Sequence, residues 1–308
     1  MPSSKIIVIA GPTASGKSGL ALALAQRLDG VVINADSMQV YKDIPILAAA
    51  PSAKDITLAP HKLYGIYDAS IHGNMIDWLG LCRQEISAAR KQSKTPIIVG
   101  GTGLYIETLQ KGASPIPETP LEIRKNIAEK LQEQGLSTLY QELTQIDKET
   151  ADRLSANDTT RIRRALEVWY HTKKNMTYWQ SVPLKKFYDD ENFINIYIKP
   201  ERAELDTRCR CRFDMMMAQG ALDEVKQLWK RNLPDSLPAL HALGVQELGA
   251  YLNQKLSLED AIEQAKLHTR QYAKRQSTWF NNRFNADFCY KNCYTEDKNF
   301  VDDIQKAL

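Results

Sequence analysis

Cysteine is scarce in this chain, five in 308 residues. An odd number scattered over a long chain argues against a disulfide framework. The nearest groupings, Cys209 with Cys211 and Cys289 with Cys293, lack a second pair at zinc-ligand spacing, so a structural zinc site is not expected. No run approaches the roughly 18 apolar residues of a membrane span. The apolar stretch after Lys5 is too short for a secretory signal. No membrane association and a cytoplasmic location are therefore expected. With 15 Gly and 13 Pro and no repeats, collagen-like and low-complexity classes are excluded. Net charge is only +3, too small by itself to announce a polyanionic partner.

What is present is an ordinary globular composition, 43% hydrophobic and 25% charged, at a length above one typical domain. The first hundred residues alternate β-branched runs with helical patterns: KIIVIA, a helix opening at Gly16-Lys17, VVIN, a loop, LYGIYD, a helix through Ile76 to Ala89, then PIIVGG. That rhythm predicts βαβ units around a parallel sheet with helices on both faces. The Pro-rich SPIPETP near residue 113 punctuates the chain, and a helical stretch follows until about residue 190. FINIYIKP then returns to a strand pattern. The expected architecture is an α/β core of about five strands over residues 1–112 and 191–308, with C-terminal helices and a helical insertion domain at 113–190. One insertion helix should place Ile162, Ala165, Leu166 and Trp169 on an apolar side, with Arg161, Arg163 and Arg164 around the rest, behind a cap at Asn157 or Asp158. A single helix is expected from Glu204 to Lys230, with Leu205, Cys209, Phe213 and Met216 on its core face. A last long helix starts at the Ser257-Leu-Glu-Asp260 capping pattern.

Gly11-Pro-Thr-Ala-Ser-Gly16-Lys17-Ser18 matches GxxxxGK[ST] between a strand and a helix, the context that a phosphate-binding loop requires. The backbone N–H groups around Gly11, Thr13, Ala14, Ser15 and Gly16 can cradle a di- or triphosphate. Lys17 adds a point charge, and the Ser18 hydroxyl is placed for magnesium. The loop reads polyphosphate and not what is attached to it, so ATP and other diphosphates both remain open.

Asp36, in Asn34-Ala-Asp-Ser-Met-Gln-Val-Tyr41, follows the second strand and so belongs at the carboxyl edge where the phosphate loop opens. There it could serve as an outer-shell metal ligand or as a general base. Thr102 follows the fourth strand in Val99-Gly-Gly-Thr-Gly-Leu-Tyr105, whose glycines allow close backbone approach to the same cleft. Residues 261–291 hold Lys266, Arg270, Lys274, Arg275, Arg283 and Lys291 against only Glu263 and Asp287. Within them Tyr272, Trp279 and Phe280 interleave with the cations, a pattern suited to single-stranded nucleic acid.

Taken together, GPTASGKS, ADSMQVY, VGGTGLY, NDTTRIRRALEV, GVQEL and TRQYAKRQSTWF, in this order, resemble the tRNA dimethylallyltransferase (tRNA isopentenyltransferase) family over nearly the whole chain. The resemblance implies that the loop holds the diphosphate of dimethylallyl diphosphate and that Asp36 is the base, with Thr102 steadying the reacting groups. It implies transfer to an adenosine exocyclic amine beside the anticodon, with Mg2+ as cofactor and the tRNA anticodon loop as partner; a monomer is expected. It assigns RNA contacts to Asp36, Ser37, Met38 and Gln39, to Arg124, to Thr160, Arg161, Ile162, Arg163 and Arg164, and to Lys274, Arg275, Gln276 and Trp279. This chain departs from the family pattern at Ala48-Ala49-Ala50-Pro51, where Thr-Ala-Lys/Arg-Pro is common, at Leu243-Gly-Val-Gln246 and at Asn281.

Two other readings compete. In a small-molecule kinase, Asp68 would assist magnesium and Asp36 would activate a hydroxyl. A non-catalytic RNA-binding ATPase would account for the basic helices but not for Asp36 and Thr102 beside the loop.

Overall fold

Runs of uninterrupted β-branched and apolar residues suit strands covered on both faces, and here they form the middle of a parallel sheet. In the computed structural model, which describes residues 5–306, six strands are present. They are β1 (Ile6–Ala10), β2 (Gly30–Asn34), β3 (His61–Lys62), β4 (Thr95–Gly100), β5 (Phe193–Ile198) and β6 (Phe288–Tyr290), in the order β3-β2-β4-β1-β5-β6. Every pairing is parallel, with Ile9 flanked by Val99 on one side and Ile196 on the other. Side chains alternate between the faces. Ile7, Ile9, Val32, Ile97, Val99 and Ile196 pack with Leu20 and Leu24 of helix Lys17–Arg27 and with Val301 and Ile304 of helix Lys298–Lys306. Buried Trp78, Leu79 and Ile86 of helix Met75–Lys91 cover the other face.

Three local expectations are corrected. The segment LYGIYD does not form the third strand, because Leu63 and Gly65 take φ values of 64° and 57°, which no strand can accommodate. His61–Lys62 makes the pairing instead. The segment after it zips along residues 39–42, Gly65 N–H donating to the Gln39 carbonyl and Tyr67 N–H to that of Val40. The region after residue 200 is not wholly helical, since Phe288–Tyr290 adds the sixth strand beside β5. The helix expected over 204–230 is two, Arg202–Ala218 and Ala221–Trp229, broken at Gly220 with φ 102°. The Ser257 cap holds: its hydroxyl accepts from the Asp260 N–H at the start of helix Leu258–Arg283.

Two compact units make up the chain, one of Met1–Gln110 with Tyr188–Leu308 and one of Lys111–Phe187. The second leaves the chain between β4 and β5. It contains helices Leu121–Ile146, bent at Gly135, Lys148–Arg153, Thr159–Thr172 and Met176–Ser181. Its core joins Ile127, Leu139, Leu143, Ala151, Ile162, Ala165 and Leu166. Asp158 caps the third of these helices, accepting from the Arg161 N–H. Among the described residues no helix is long and apolar enough to cross a membrane.

This small core makes its stability sensitive to single truncations. Leu166→Ala removes a fully buried side chain and should cost about 2–5 kcal/mol. The check is thermal unfolding of the purified full chain; a midpoint unchanged from wild type contradicts the packing described.

Candidate active site

Four loops leave the carboxyl ends of β1, β2, β4 and β5 and converge there, as parallel-sheet topology dictates. In the first, Gly16 caps helix Lys17–Arg27 in the left-handed region. A Cβ on Gly16 would come within 2.4 Å of the Tyr294 carbonyl oxygen, so only glycine fits. Tyr294 N–H donates to the Ser15 carbonyl at 2.9 Å, bracing the loop from behind. The Ser15 hydroxyl is buried with no hydrogen-bond partner. Lys17 Nζ donates to the Pro12 carbonyl at 2.5 Å. Burial pushes the Lys17 ammonium down to about 7; Asp36 pulls it up, and the Arg212 guanidinium presses it lower.

Asp36 is fixed by its own neighbours. Asn34 Oδ1 accepts from the Asp36 N–H, and Asn34 Nδ2 donates to the carbonyls of Asp36 and Leu63. Trp78 Nε1 donates to the Asn34 carbonyl at 2.8 Å, pinning the end of β2. Asp36 Oδ1 accepts from the Met38 N–H at 2.9 Å, so Oδ2 is the oxygen left to act. Thr102 lies alongside: its hydroxyl accepts from the Ser37 N–H at 3.0 Å and donates to Ser37 Oγ. A Cβ on Gly100 would lie 2.1 Å from the Ala35 carbonyl oxygen, which explains the glycine.

Gln276 joins these loops. Its Oε1 accepts from the Thr13 N–H of the phosphate loop at 2.8 Å, and its Nε2 donates to the Gly101 carbonyl at 2.9 Å. Gln276 is buried, so the position expected to grip RNA instead aligns the two loops. Ile162, also expected at the RNA surface, is wholly buried in the helical unit's core. Its side chain cannot reach a ligand, because the apolar stripe of its helix faces inward. Lys274 and Arg275 are exposed, with Arg275 over the Tyr272 ring. Trp279 lies against Gly103, where any Cβ would collide with its ring at 2.3 Å.

Arg212, on helix Arg202–Ala218, was not singled out from sequence. Its Nη1 donates to Thr13 Oγ1 at 3.2 Å, and burial lowers its pKa while Asp36 raises it. The available signal was the i, i+4 spacing of Arg208 and Arg212 along the flank of the Leu205, Cys209, Phe213 stripe. Two cavities meet at this guanidinium. One of about 540 Å³ is lined by Gly16, Lys17, Ser18, Ala49, Ala50 and Arg208. The other, of about 350 Å³, is lined by Asp36, Ser37, Phe213, Met216, Leu243 and Tyr272 among others. Arg212 lines both. Lys17, Arg208 and Asp55 face the first compartment, and Asp36 and Arg275, with apolar walls, face the second.

The residues of the three departures line this region or close to it. Ala49 and Ala50 line the cavity that Lys17 faces, and Ala48 and Leu243 line that of Asp36. Gln39 Nε2 donates to the carbonyls of Ala48 and Ala49, and the Glu224 carboxylate accepts from the N–H groups of Ile46 and Leu47. Asn281 Oδ1 accepts from the Tyr197 hydroxyl at 3.4 Å. Asp68, the metal-assisting residue of the kinase reading, is bound by Arg231 and Lys42. Those contacts hold its carboxyl well below the usual range, the hydrogen bond from Arg231 contributing most, and its carboxylate is committed to them. In the helical unit, Arg161 pairs with Asp158, Arg163 with Glu167, and Arg124 with Glu118. Arg164 donates to Thr119 Oγ1.

The pattern of the IPP transferase family matches residues 39–283. A tRNA dimethylallyltransferase of Zymomonas mobilis is 43% identical over 278 residues, 90% of this chain and 88% of that protein. One from Rhodospirillum rubrum is 42% identical over 285 residues, 92% of this chain and 87% of that protein. Among solved structures, the tRNA isopentenylpyrophosphate transferase of Bacillus halodurans superposes with a TM-score of 0.71 at 31% identity, covering 99% of this chain and 95% of that one. A eukaryotic dimethylallyltransferase seen acting on tRNA gives a TM-score of 0.82 at 30% identity, covering 99% of this chain and 78% of that one.

The depressed Lys17 pKa predicts how a diphosphate is captured. An anion favours the ammonium form, so binding raises the Lys17 pKa and takes up a proton. Affinity for inorganic pyrophosphate should be full below about pH 7 and fall as pH rises above it, and Lys17→Met should bind weakly with no such decline. Calorimetric titration across pH checks this; equal slopes in both proteins would remove Lys17 from the anion site. On the match over residues 39–283 and the identity over 90% of its length, this chain belongs to the IPP transferase family, the tRNA dimethylallyltransferases.

Proposed function

We propose that this protein transfers the dimethylallyl group of dimethylallyl diphosphate to the exocyclic amine of the adenosine next to the anticodon in tRNA, releasing diphosphate. The observation that carries the reading is the meeting, at Arg212, of the cavity that Lys17 and Ser18 line with the cavity that Asp36 lines. The donor's diphosphate suits the Lys17 side, and an extruded purine with the five-carbon chain suits the Asp36 side, walled by Phe213, Met216 and Leu243. An unpaired loop base leaves its stack at modest cost.

An adenine amine is a poor nucleophile because its lone pair is delocalised into the ring. Asp36 Oδ2 takes the proton from nitrogen as the N–C bond forms. The C–O bond to diphosphate breaks at the same carbon, and the loop N–H groups, Lys17 and Arg212 stabilise the departing charge. Thr102 holds the Ser37 backbone and thereby the turn that carries Asp36.

The residues fit magnesium. Ser18 lines the cavity beside Lys17, and the Ser15 hydroxyl is buried without a partner in the same loop. Among the described residues no cluster of three His, Cys, Asp or Glu could hold a metal, which suits an ion carried mainly by phosphate oxygens and water. Ser18 would hold it, and bound there it would offset charge on the diphosphate. Exposed Arg161 with Arg163, Arg164, Arg124 and Thr160 in the helical unit, and Lys274, Arg275 and Trp279 in the core, supply RNA contacts in this reading. Ser37, Met38 and Gln39 contribute beside the extruded base.

The test is to incubate the full chain with unmodified tRNA, magnesium and dimethylallyl diphosphate, then digest the RNA and weigh its nucleosides. One adenosine should gain a five-carbon unit. Asp36→Asn should slow transfer by about 10²–10⁴ in a chain whose thermal unfolding matches wild type. Transfer at the wild-type rate in that variant overturns Asp36 as the base, and ATP consumption without any heavier nucleoside overturns the reaction.

A further inference from the structure

Helix Leu258–Arg283 carries a second face of which the family resemblance assigned only Lys274. Leu267, Arg270, Gln271, Lys274, Ser277, Thr278 and Asn281 recur at i, i+3, i+4, i+7, i+10, i+11 and i+14, one face about 21 Å long. That face forms one wall of a groove of about 390 Å³. Its other wall is the end of β5 and the start of helix Arg202–Ala218, which contribute Lys199 and Arg202. In a folded protein a polar helix face that lines a groove calls for a polar occupant.

The charges point to the sign of that occupant. Asp206 is the one carboxylate in the groove lining, and it is neutralised by Arg270 at 3.0 Å. Lys199, Arg202 and Lys274 are exposed and have no carboxylate partner among the described residues. Lys199 and Arg202 on one wall and Lys274 on the other, along a helix face about 21 Å long, make the groove a positive surface.

This surface is continuous with the reaction centre. Arg275 lines the Asp36 cavity and also an open patch with Trp279. Lys274, Gln271 and Thr278 line both that patch and the groove. A strand with one base in the Asp36 cavity would therefore cross the aromatic Trp279 and reach the groove with its backbone.

We propose that the groove between Lys199, Arg202 and Lys274 binds the phosphates of single-stranded RNA flanking the modified base. This rests on the tRNA reading given above. Lys199 and Arg202 would then be backbone contacts that position the loop without reading its sequence.

The probe is unmodified tRNA, its affinity for the full chain measured against salt concentration. For single strands each phosphate contact contributes about 0.7 to the slope of log affinity against log salt, so Lys199→Ala with Arg202→Ala should lower the slope by about 1–1.5. The exchanged pair Lys199→Arg with Arg202→Lys should restore it, and pyrophosphate affinity should match wild type in both, showing an intact phosphate loop. A full slope in the double alanine variant, while Lys274→Ala with Arg275→Ala loses slope, overturns the groove and leaves the tRNA reading standing. Wild type with no salt-dependent tRNA affinity overturns both.

Discussion

One buried amide holds the reacting region together. Gln276 reaches from a helix near the end of the chain to accept from the phosphate loop at Thr13 and donate to the glycine loop at Gly101. The first loop leads into Lys17 and the second carries Thr102, which secures the turn of Asp36. The placement of the two loops is thus set by a side chain that belongs to neither. An unpaired amide at this buried position would be costly, which makes the alignment stiff.

Around that amide the electrostatics divide the cleft. Asp36 is the one carboxylate whose charge is felt by Lys17, Arg212, Tyr64 and Tyr272 together. It supports the two cations and, after burial, adds to the cost of ionising the two phenols. Tyr64 and Tyr272 accordingly stay neutral and supply polar walls without competing charge. Arg212 lines both compartments.

The glycines near the site have separate physical reasons. Gly16 avoids the Tyr294 backbone, Gly100 avoids Ala35, and Gly103 accepts the Trp279 ring. The last of these couples helix Leu258–Arg283 to the helix that follows β4. The sheet edge, the bracing residues from the C-terminal segment and the aromatic surface therefore form one packed assembly within the core unit.

The sequence by itself determined the parallel sheet, the phosphate loop and the place of Asp36, because all three follow from local rules: apolar runs, glycine spacing and position after a strand. It also showed the Ser257 cap and the basic, aromatic helix. Only the tertiary structure decided that the Leu63–Asp68 segment abandons the sheet, since two left-handed residues and pairing to residues 39–42 outweigh its β-branched composition. It likewise decided that Gln276 faces inward and that Arg212 lines two cavities. These last two outcomes depend on which face of a helix meets a loop more than 170 residues away, and no local pattern carries that information.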